Sequence, residues 1–200
     1  MSASRIVLAS NNPGKVREIN ALLQQLSMDV IPQAELGVED AIEDGLSFIE
    51  NALIKARHAA LQTGLPAIAD DSGLEVPALN GAPGIYSARY AGEDAGDEAN
   101  LHKLIANITP LAEKERRARF VCVMVYLRHA DDPVPVISQG LWEGHLVIEP
   151  VGENGFGYDP VFYVPEHQCT SAQLKPDVKN SLSHRGQALR GLLAKMQSHA

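Results

Sequence analysis

The stretch LASNNPGKVREI, residues 8–19, joins an apolar run to two asparagines, a Pro-Gly turn and Lys15. Such a turn between a strand and a helix can bind phosphate, because the first N–H groups of the helix and a lysine ammonium point at one place. It is not a P-loop, since no glycine lies five residues before Gly14 and Val16 replaces the hydroxyl that would bind the metal. The stretch predicts another kind of phosphate site, with an ordinary Asn-Asn-Pro-Gly turn as the alternative.

A second group of reactive residues is ADDSG, residues 69–73, where Asp70 and Asp71 follow the short apolar strand LPAIAD. Adjacent carboxylates repel each other unless a cation or solvent neutralises them. Mg²⁺ prefers oxygen ligands and often binds through one or two carboxylates and substrate phosphates. Glu43, in IEDG, offers a third acid. These acids predict phosphoryl chemistry with Mg²⁺, in which a carboxylate activates water; a solvated turn is the alternative.

Lys55 follows Glu43 on the next predicted helix, where Asn51, Lys55 and His58 are spaced to share one face. Lys55 could therefore reach the acids and balance phosphate charge, although a lysine on a solvated helix face is the alternative. Together with Lys15 and the acids, it makes a set of groups that suits phosphoryl chemistry on a triphosphate.

Two further segments carry a stacking side chain and cations. GFGYDP, residues 155–160, places an aromatic ring between two glycines, and KNSLSHRGQAL, residues 179–189, places cations at a helix start. Such cations suit an anion or a purine carbonyl. The alternative for residues 155–160 is a turn around a packed aromatic ring. The alternative for the second segment is a helix capped by Ser183, with His184 and Arg185 on the surface.

Helical and strand patterns alternate along the chain, and this order predicts an α/β fold with a mixed sheet. The loops 11–15, 69–73 and 155–160 leave strands or pass between them. Ligands of such sheets bind at the carboxyl ends of strands, so the three loops are expected to build one site. Gly140 is expected to mark a turn or bulge in the segment that pairs with strand 119–127. The predicted strands are 6–10, 65–70, 119–127 and 135–146, and the predicted helices are 15–26, 47–63, 97–108 and 184–196.

Composition excludes several classes of protein. The 200 residues are 45% hydrophobic and 21% charged, which is typical of a globular protein with one domain, over residues 1–200. The net charge of −8 argues against nucleic acid as a partner. Two cysteines without metal spacing indicate a reducing cytoplasm. No signal peptide is expected, and no membrane span, which would need about 18 consecutive apolar residues.

Two enzyme classes share fragments of these motifs but do not fit. Asp71-Ser72-Gly73 matches the D-[ST]-G of aspartic proteases, yet the predicted helices do not belong in that all-β architecture. A phosphatase that forms an aspartyl phosphate would need a different spacing of acids after its first strand.

Taken together, six motifs resemble the inosine triphosphate pyrophosphatase family, whose members are dITP/XTP pyrophosphatases. The resemblance runs from about Ile6 to Met196, and the motifs occur in the family's order. The most specific are the Ser-Asn-x-x-x-Lys turn, Asp-Asp-Ser-Gly-Leu and Ser-His-Arg-Gly. The six segments are SNNPGK (10–15), FIENA (48–52) with Lys55, ADDSGL (69–74), GAPGIYSAR (81–89), GFGYDP (155–160) and SHRG (183–186).

The resemblance implies a homodimeric α/β enzyme with a long central mixed sheet flanked by helices and two lobes with the active-site cleft between them. It also implies Mg²⁺-dependent hydrolysis of ITP, dITP and XTP to the monophosphate and pyrophosphate, which removes deaminated purines from the nucleotide pool.

The resemblance further assigns roles to individual residues. Asp71 would accept the proton and bind the metal together with Glu43. Phe156 would stack on the base, and four residues would frame its 6-oxo edge: Asp159, Lys179, His184 and Arg185. The implied substrate-binding residues are Ser10, Asn11, Asn12, Pro13, Gly14, Lys15, Lys55, Ser72, Phe156, Gly157, Tyr158, Asp159, Lys179, His184 and Arg185.

Several choices stay open at this level. Asp70 is the alternative proton acceptor, and Lys175 competes with Lys179. Glu39, Asp40 and Asp44 compete with Glu43 as the second metal ligand. Two other functions remain as alternatives: a sensor that binds a purine nucleotide without cleaving it, and a pyrophosphatase that acts on modified pyrimidine nucleotides.

Overall fold

The strands and helices of the chain form one mixed sheet with helices packed on it. The computed structural model describes residues 5–23 and 29–198, and in these residues it has seven strands and five α-helices. The strands are β1 (Arg5–Ala9), β2 (Asp29–Pro32), β3 (Ala67–Glu75), β4 (Arg117–Leu127), β5 (Val136–Leu146), β6 (Phe162–Val164) and β7 (Cys169–Thr170). The helices are α1 (Pro13–Leu23), α2 (Phe48–Thr63), α3 (Asp97–Ile108), α4 (Pro176–Leu182) and α5 (His184–Ser198).

The sheet has the strand order β2-β1-β3-β4-β5-β6-β7. Strand β1 runs parallel to β2 and to β3, where Val7 pairs with Ala67 and Ala9 with Ala69. Strand β6 runs antiparallel to β5 and β7. Crossover connections to parallel strands need a helix, and α1 and α2 supply them. The predicted α/β fold with a mixed sheet is therefore confirmed.

The chain divides into two compact units. The first comprises the described residues up to Asp71, residues 122–140 and residues from His184 onward, and the second comprises residues 72–121 and 141–183. Strands β3, β4 and β5 each contribute residues to both units. The single domain over 1–200 stays a prediction.

The first unit buries both faces of its strands, because alternate residues of a strand point to opposite faces. Val7 and Ala9 of β1 pack in one cluster with Ala67 and Ala69 of β3 and the alanines of α2. On the other face, apolar residues of α1 and α5 pack in a second cluster with the intervening strand residues. That second cluster contains Ile6, Leu8, Ile19, Leu23, Ile68, Cys122, Met124, Ala188, Leu189 and Leu192.

The second unit has an aromatic core. The ring centroids of Phe120 and Phe162 lie 4.6 Å apart, and those of Trp142 and Phe162 lie 5.1 Å apart. Leu104 and Ile108 of α3 belong to the same buried cluster. Side chains of β4 and β5 thus pack with side chains of α3 in one core.

Helix α2 forms where the sequence predicts it. Ser47 is its N-cap: the Ser47 Oγ accepts from the Glu50 N–H at 3.3 Å, and the Glu50 carboxylate accepts from the Leu46 N–H at 3.0 Å. The helix ends at Thr63, followed by Gly64 in the left-handed conformation at φ +67°. Helix α3 has its predicted bounds, and α5 begins at His184 as predicted.

Other boundaries differ from the prediction. The helix predicted from Lys15 begins at Pro13, since proline suits the first helical position, and its predicted residues 24–26 lie outside the described residues. Strand β4 begins two residues before Arg119. Strands β2, β6 and β7 and helix α4 escape the sequence patterns because they are only two to seven residues long.

Two sequence expectations are wrong. ADDSG is not a loop after a strand that ends at Asp70; it lies inside β3, which continues to Glu75. The turn expected at Gly140 is also absent, because residues 136–146 form one continuous strand. Gly140 instead allows α5 to approach β5, because a Cβ there would collide with the backbone of His184 and would lie 2.7 Å from the Ala188 nitrogen.

Candidate active site

The Ser-Asn-Asn-Pro-Gly-Lys turn is built as a helix cap. The Asn12 side chain accepts a hydrogen bond from the Lys15 N–H at 3.1 Å, and the Ser10 Oγ accepts one from the Asn12 N–H at 3.4 Å. Asn12 therefore acts as N-cap of α1, with Pro13 at the first helical position. Asn11, Asn12 and Pro13 are exposed, so this end of the helix is open to solvent.

Lys15 reaches a buried acid. Its Nζ lies 3.3 Å from Oδ2 of Asp70, whose side chain is fully buried. The Arg185 Nε lies 3.6 Å from the same oxygen, and an Arg185 Nη also donates to the carboxylate of Glu18 on α1. Burial alone would raise the pKa of Asp70, but the charges of Lys15 and Arg185 outweigh it and hold this pKa well below its usual range.

Asp71 belongs to a separate cluster with side chains of α2. Lys55 Nζ donates to Oδ1 of Asp71 at 3.2 Å and lies 3.1 Å from the Glu43 carboxylate. The Asn51 amide donates to Oδ2 of Asp71 at 3.3 Å. Burial alone would lower the pKa of Lys55, but the negative charges of Asp71, Asp70 and Glu43 raise it above its usual value. Lys55 is thus a buried cation, not a solvated surface lysine.

The two acids escape mutual repulsion because β3 carries them on opposite faces. Asp70 continues the face of Ile68, which packs with α1 and α5, and Asp71 continues the face of Ala69, which packs with α2. Each carboxylate meets its own lysine there. The sequence predicts that the acids need cations, and the structure supplies a different one to each.

Among the described residues, no group of three His, Cys, Asp or Glu side chains could hold a metal ion. Glu43 and Asp71 lie within reach of a single cation, since the Lys55 ammonium contacts both. Two carboxylates and substrate phosphate oxygens are a usual donor set for Mg²⁺, so these residues fit that ion. Of the open alternatives, Asp40 accepts from Gln33 at 2.8 Å, and the Glu39 main-chain oxygen contacts His58 at 3.1 Å.

The GFGYDP segment lies in the second unit and is organised around Asp159. This buried carboxylate accepts from the Phe156 N–H at 2.8 Å, from the Ser171 hydroxyl at 2.7 Å and from Lys179 Nζ at 2.6 Å. Lys179 Nζ also lies 5.3 Å from the centroid of the Phe156 ring, which is cation–π distance. The implied stacking ring is therefore fixed relative to a buried cation.

Neighbouring residues shape the same loop. Gly155 has φ +79°, and a Cβ there would collide with the Asp159 carboxylate. The Gly157 N–H donates to Asp97 at 3.0 Å. Tyr158 is buried in the aromatic core, and its hydroxyl donates to the Ser87 carbonyl at 2.7 Å. The ring of Tyr158 thus anchors the loop in the core, whereas Phe156 and Gly157 are partly exposed.

The remaining implied residues are distributed over both units. Ser72 follows Asp71 in β3 and is partly exposed. Lys179 lies inside α4, a short helix that the sequence does not predict, whereas His184 and Arg185 open α5 in the first unit. Both are buried, at 5% and 2% exposure, so the alternative that places them on the surface is wrong.

Sequence reasoning missed three partners of these residues. Glu18 contacts Arg185, and the only signal for it is its position three residues after Lys15 on α1. Ser171 and Asp97 bond to Asp159 and Gly157, but each is far from its partner in the sequence. No local pattern could have identified these two.

Known proteins are similar to this chain over almost its whole length. The model of the Ham1 family matches residues 6–195. A dITP/XTP pyrophosphatase from Vibrio parahaemolyticus is 58% identical over 194 residues, which are 97% of this chain and 97% of that protein. A dITP/XTP pyrophosphatase from Escherichia coli O157:H7 is 57% identical over 94% of this chain and 96% of that protein.

A solved structure shows the same fold. A HAM1 protein from Coxiella burnetii superposes with a TM-score of 0.89 at 51% identity and covers 98% of this chain and 100% of that one. The match includes the turn at Lys15, the acids of β3 and the start of α5, because all of them lie within residues 6–195. The chain therefore belongs to the Ham1 family.

Proposed function

We propose that this protein is a Mg²⁺-dependent nucleoside triphosphate pyrophosphatase that hydrolyses dITP, XTP and ITP to the monophosphate and pyrophosphate. The observation that carries the proposal is the buried Asp71 carboxylate, held by Lys55 and Asn51 at 3.2 and 3.3 Å, with Glu43 on the same ammonium. Relatives 57–58% identical to this chain are named dITP/XTP pyrophosphatase, which supports this choice of substrates.

The first unit is proposed to bind the triphosphate. The exposed start of α1 and the Lys15 ammonium supply N–H donors and positive charge, which suit phosphate oxygens. Lys55 adds a second cation beside Asp71. Binding of phosphate would draw Lys15 from Asp70, and Arg185 would stay to neutralise that acid.

Asp71 is proposed to act as the general base. Its carboxylate takes one proton from a water molecule as the water oxygen forms a bond to the α-phosphorus. The bond from the α-phosphorus to the bridging oxygen breaks, and its electron pair leaves with pyrophosphate. Asn51 and Lys55 hold the two carboxylate oxygens in place for this transfer.

Glu43 and Asp71 would bind Mg²⁺ together with phosphate oxygens. When bound, the ion neutralises phosphate charge and so stabilises the negative charge that develops on the leaving group.

The second unit is proposed to bind the base. Phe156 offers a ring for stacking, and Lys179 offers a buried donor for a 6-oxo acceptor. Adenine presents a 6-amino donor instead, so a donor aimed at that edge would face another donor and lose the hydrogen bond that it makes to a 6-oxo group. His184 and Arg185 belong to the first unit, and their contact with the base stays a prediction.

A pyrophosphate-release assay tests the proposal. Wild-type protein with Mg²⁺ is expected to release pyrophosphate from dITP and XTP, with kcat/KM at least ~10²-fold above that for ATP and GTP, the low end of discrimination by a binding pocket. Release of orthophosphate would indicate that the enzyme cleaves the bond to the γ-phosphorus and not the bond between the α- and β-phosphates. Binding of XTP without turnover would favour the nucleotide sensor, and turnover of modified pyrimidine nucleotides alone would favour the related pyrophosphatase.

We also propose that the protein is a cytoplasmic homodimer. Ile42 and Leu46 of the first unit are 83% and 84% exposed, which is apolar surface that a second copy could cover. Light scattering of the purified protein tests the dimer, and a monomeric mass at assay concentration would contradict it. In the part of the chain that the structure describes, no helix is long and apolar enough to cross a membrane.

A further inference from the structure

Asn51 is a buried amide in the FIENA segment, and it is not among the site residues that the resemblance implies. It lies in the second turn of α2, is 1% exposed, and its main-chain N–H is already bonded to the Ser47 carbonyl at 3.1 Å. The side-chain amide is not needed for this helical hydrogen bond and bonds elsewhere. It makes two, and each goes to a different part of the proposed metal site.

One bond reaches the segment that carries Glu43. Oδ1 of Asn51 accepts from the Gly45 N–H at 2.9 Å, two residues after Glu43. The other bond reaches β3, where Nδ2 of Asn51 donates to Oδ2 of Asp71 at 3.3 Å. One amide thus connects a loop and a strand that are 26 residues apart in the chain.

The loop is packed directly on this amide. A Cβ at Gly45 would lie 2.6 Å from Oδ1 of Asn51 and 2.7 Å from Cβ of Glu50. Real Cβ atoms do not approach other atoms so closely, so only glycine allows this contact. The loop therefore lies directly against the first turn of α2, with no room for a larger residue beside Asn51.

We propose that Asn51 is a positioning residue that sets the distance and orientation between Glu43 and Asp71, and thereby the affinity of the site for a divalent cation. The inference rests on the proposed function, because it takes these two acids as the metal ligands. Groups that orient metal ligands through hydrogen bonds typically change metal affinity or activity by 10–100-fold when they are removed.

An amide suits this task because it donates and accepts at the same time. A carboxylate at this position would keep the bond to Gly45 but would place a second negative charge against Asp71. An alkyl side chain would leave the buried Asp71 oxygen and the Gly45 N–H without these partners. Lys55, one helical turn later, holds the other Asp71 oxygen, so Asn51 completes the fixation of that carboxylate.

The test measures Mg²⁺ binding to the free protein by calorimetry, and steady-state turnover of XTP. For Asn51→Ala we expect a dissociation constant for Mg²⁺ raised by ~10–100-fold and a lowered kcat at fixed Mg²⁺, with KM for XTP close to that of wild type. Gly45→Ala keeps Asn51 and both acids but displaces the loop, so it should shift Mg²⁺ affinity in the same direction. This second variant also tests the proposal if Asn51→Ala does not fold.

Asn100→Ala is the matched control. Asn100 is also a helical asparagine, 2% exposed, and it also makes two side-chain bonds: it accepts from the Ala91 N–H at 2.7 Å and donates to the Ala88 carbonyl at 3.0 Å. Its removal should lower Tm without changing Mg²⁺ affinity.

The outcomes separate this inference from the proposed function. The positioning role is refuted if Asn51→Ala and Gly45→Ala bind Mg²⁺ and turn over XTP like wild type, or if Asn100→Ala weakens Mg²⁺ binding as much as they do. If wild type binds Mg²⁺ but does not cleave XTP or dITP, the proposed function fails, and calorimetry still decides whether Asn51 sets the metal affinity.

Discussion

The replacement Asp70→Asn tests whether Asp70 has a structural role and Asp71 a chemical one. Asp70 is fully buried and lies 3.3 Å from Lys15 Nζ and 3.6 Å from Arg185 Nε. The change removes a negative charge and leaves two cations beside a neutral amide. Removing one partner of a buried ion pair typically costs ~3–5 kcal/mol, because the other charge remains buried without compensation.

The expected loss is at the lower end of that range, since Glu18 still pairs with Arg185 and the Lys15 side chain is 16% exposed. We therefore expect the free energy of unfolding to fall by ~3 kcal/mol at pH 7. For a chain of this size, 1 kcal/mol corresponds to ~2–4 °C in Tm, so Tm should fall by ~6–12 °C. Asp29→Asn is the control: its pair with Arg5 spans 3.8 Å with both side chains more than half exposed, so the loss should stay below ~1 kcal/mol.

The difference between wild type and Asp70→Asn should also depend on pH. The pKa of Asp70 is lower in the folded protein than in the unfolded chain, so its stabilising contribution is complete above the unfolded value of ~3.9 and is lost as pH falls toward the folded pKa. Urea unfolding at pH 7, 5 and 3.5 should therefore show a constant gap at the first two values and a smaller gap at the third. A gap below 1 kcal/mol at pH 7, or one that grows in acid, would refute this account of the cluster.

Other changes probe the proposed chemistry, each measured as steady-state pyrophosphate release from XTP. Asp71→Asn should lower kcat by ~10²–10⁴-fold and more than a folded Asp70→Asn does; near-normal turnover would transfer the role of base to another acid. Lys15→Ala should weaken triphosphate binding and turnover, and Lys15→Arg should restore them only in part, because a planar guanidinium does not replace a compact ammonium; equal rates in all three proteins would make the turn purely structural. Lys179→Ala should reduce the ratio of kcat/KM for XTP over ATP more than it reduces kcat for XTP, and an unchanged ratio would remove Lys179 from base recognition.

Much of the fold was predictable because its longer elements carry local signals. Helix α2 has the Ser47–Glu50 capping box, and α3 has a clear apolar stripe from Leu101 to Ile108. Strand β7 has only two residues, too few to show an alternation of apolar and polar side chains. Its position is set by pairing with β6, and pairing between distant segments leaves no local pattern in the sequence.

The site was predictable in its residue types but not in their pairings. The sequence predicts that Asp70 and Asp71 lie in a loop after a strand and need cations, but not which cation each acid contacts. The strand continues through these residues instead, so the acids separate onto two faces. Pairing with neighbouring strands overrides the local turn preference of a Ser-Gly dipeptide here. The contacts of Glu18 and Ser171 depend on the tertiary fold alone.

Because the two acids of β3 point to opposite faces, the proposed catalysis depends on strand register. A slip of β3 by one residue against β1 would turn Asp71 toward α1 and α5 and Asp70 toward α2, because every side chain of the strand would change face. The same slip would move Ile68 out of its cluster and Ala69 into it. A chain with β3 in the wrong register would thus lose its apolar packing and its proposed base together. The loss of packing would destabilise that fold, so misplaced acids and a stable fold should not occur together. The apolar residues next to the acids therefore fix which face of the sheet each acid occupies.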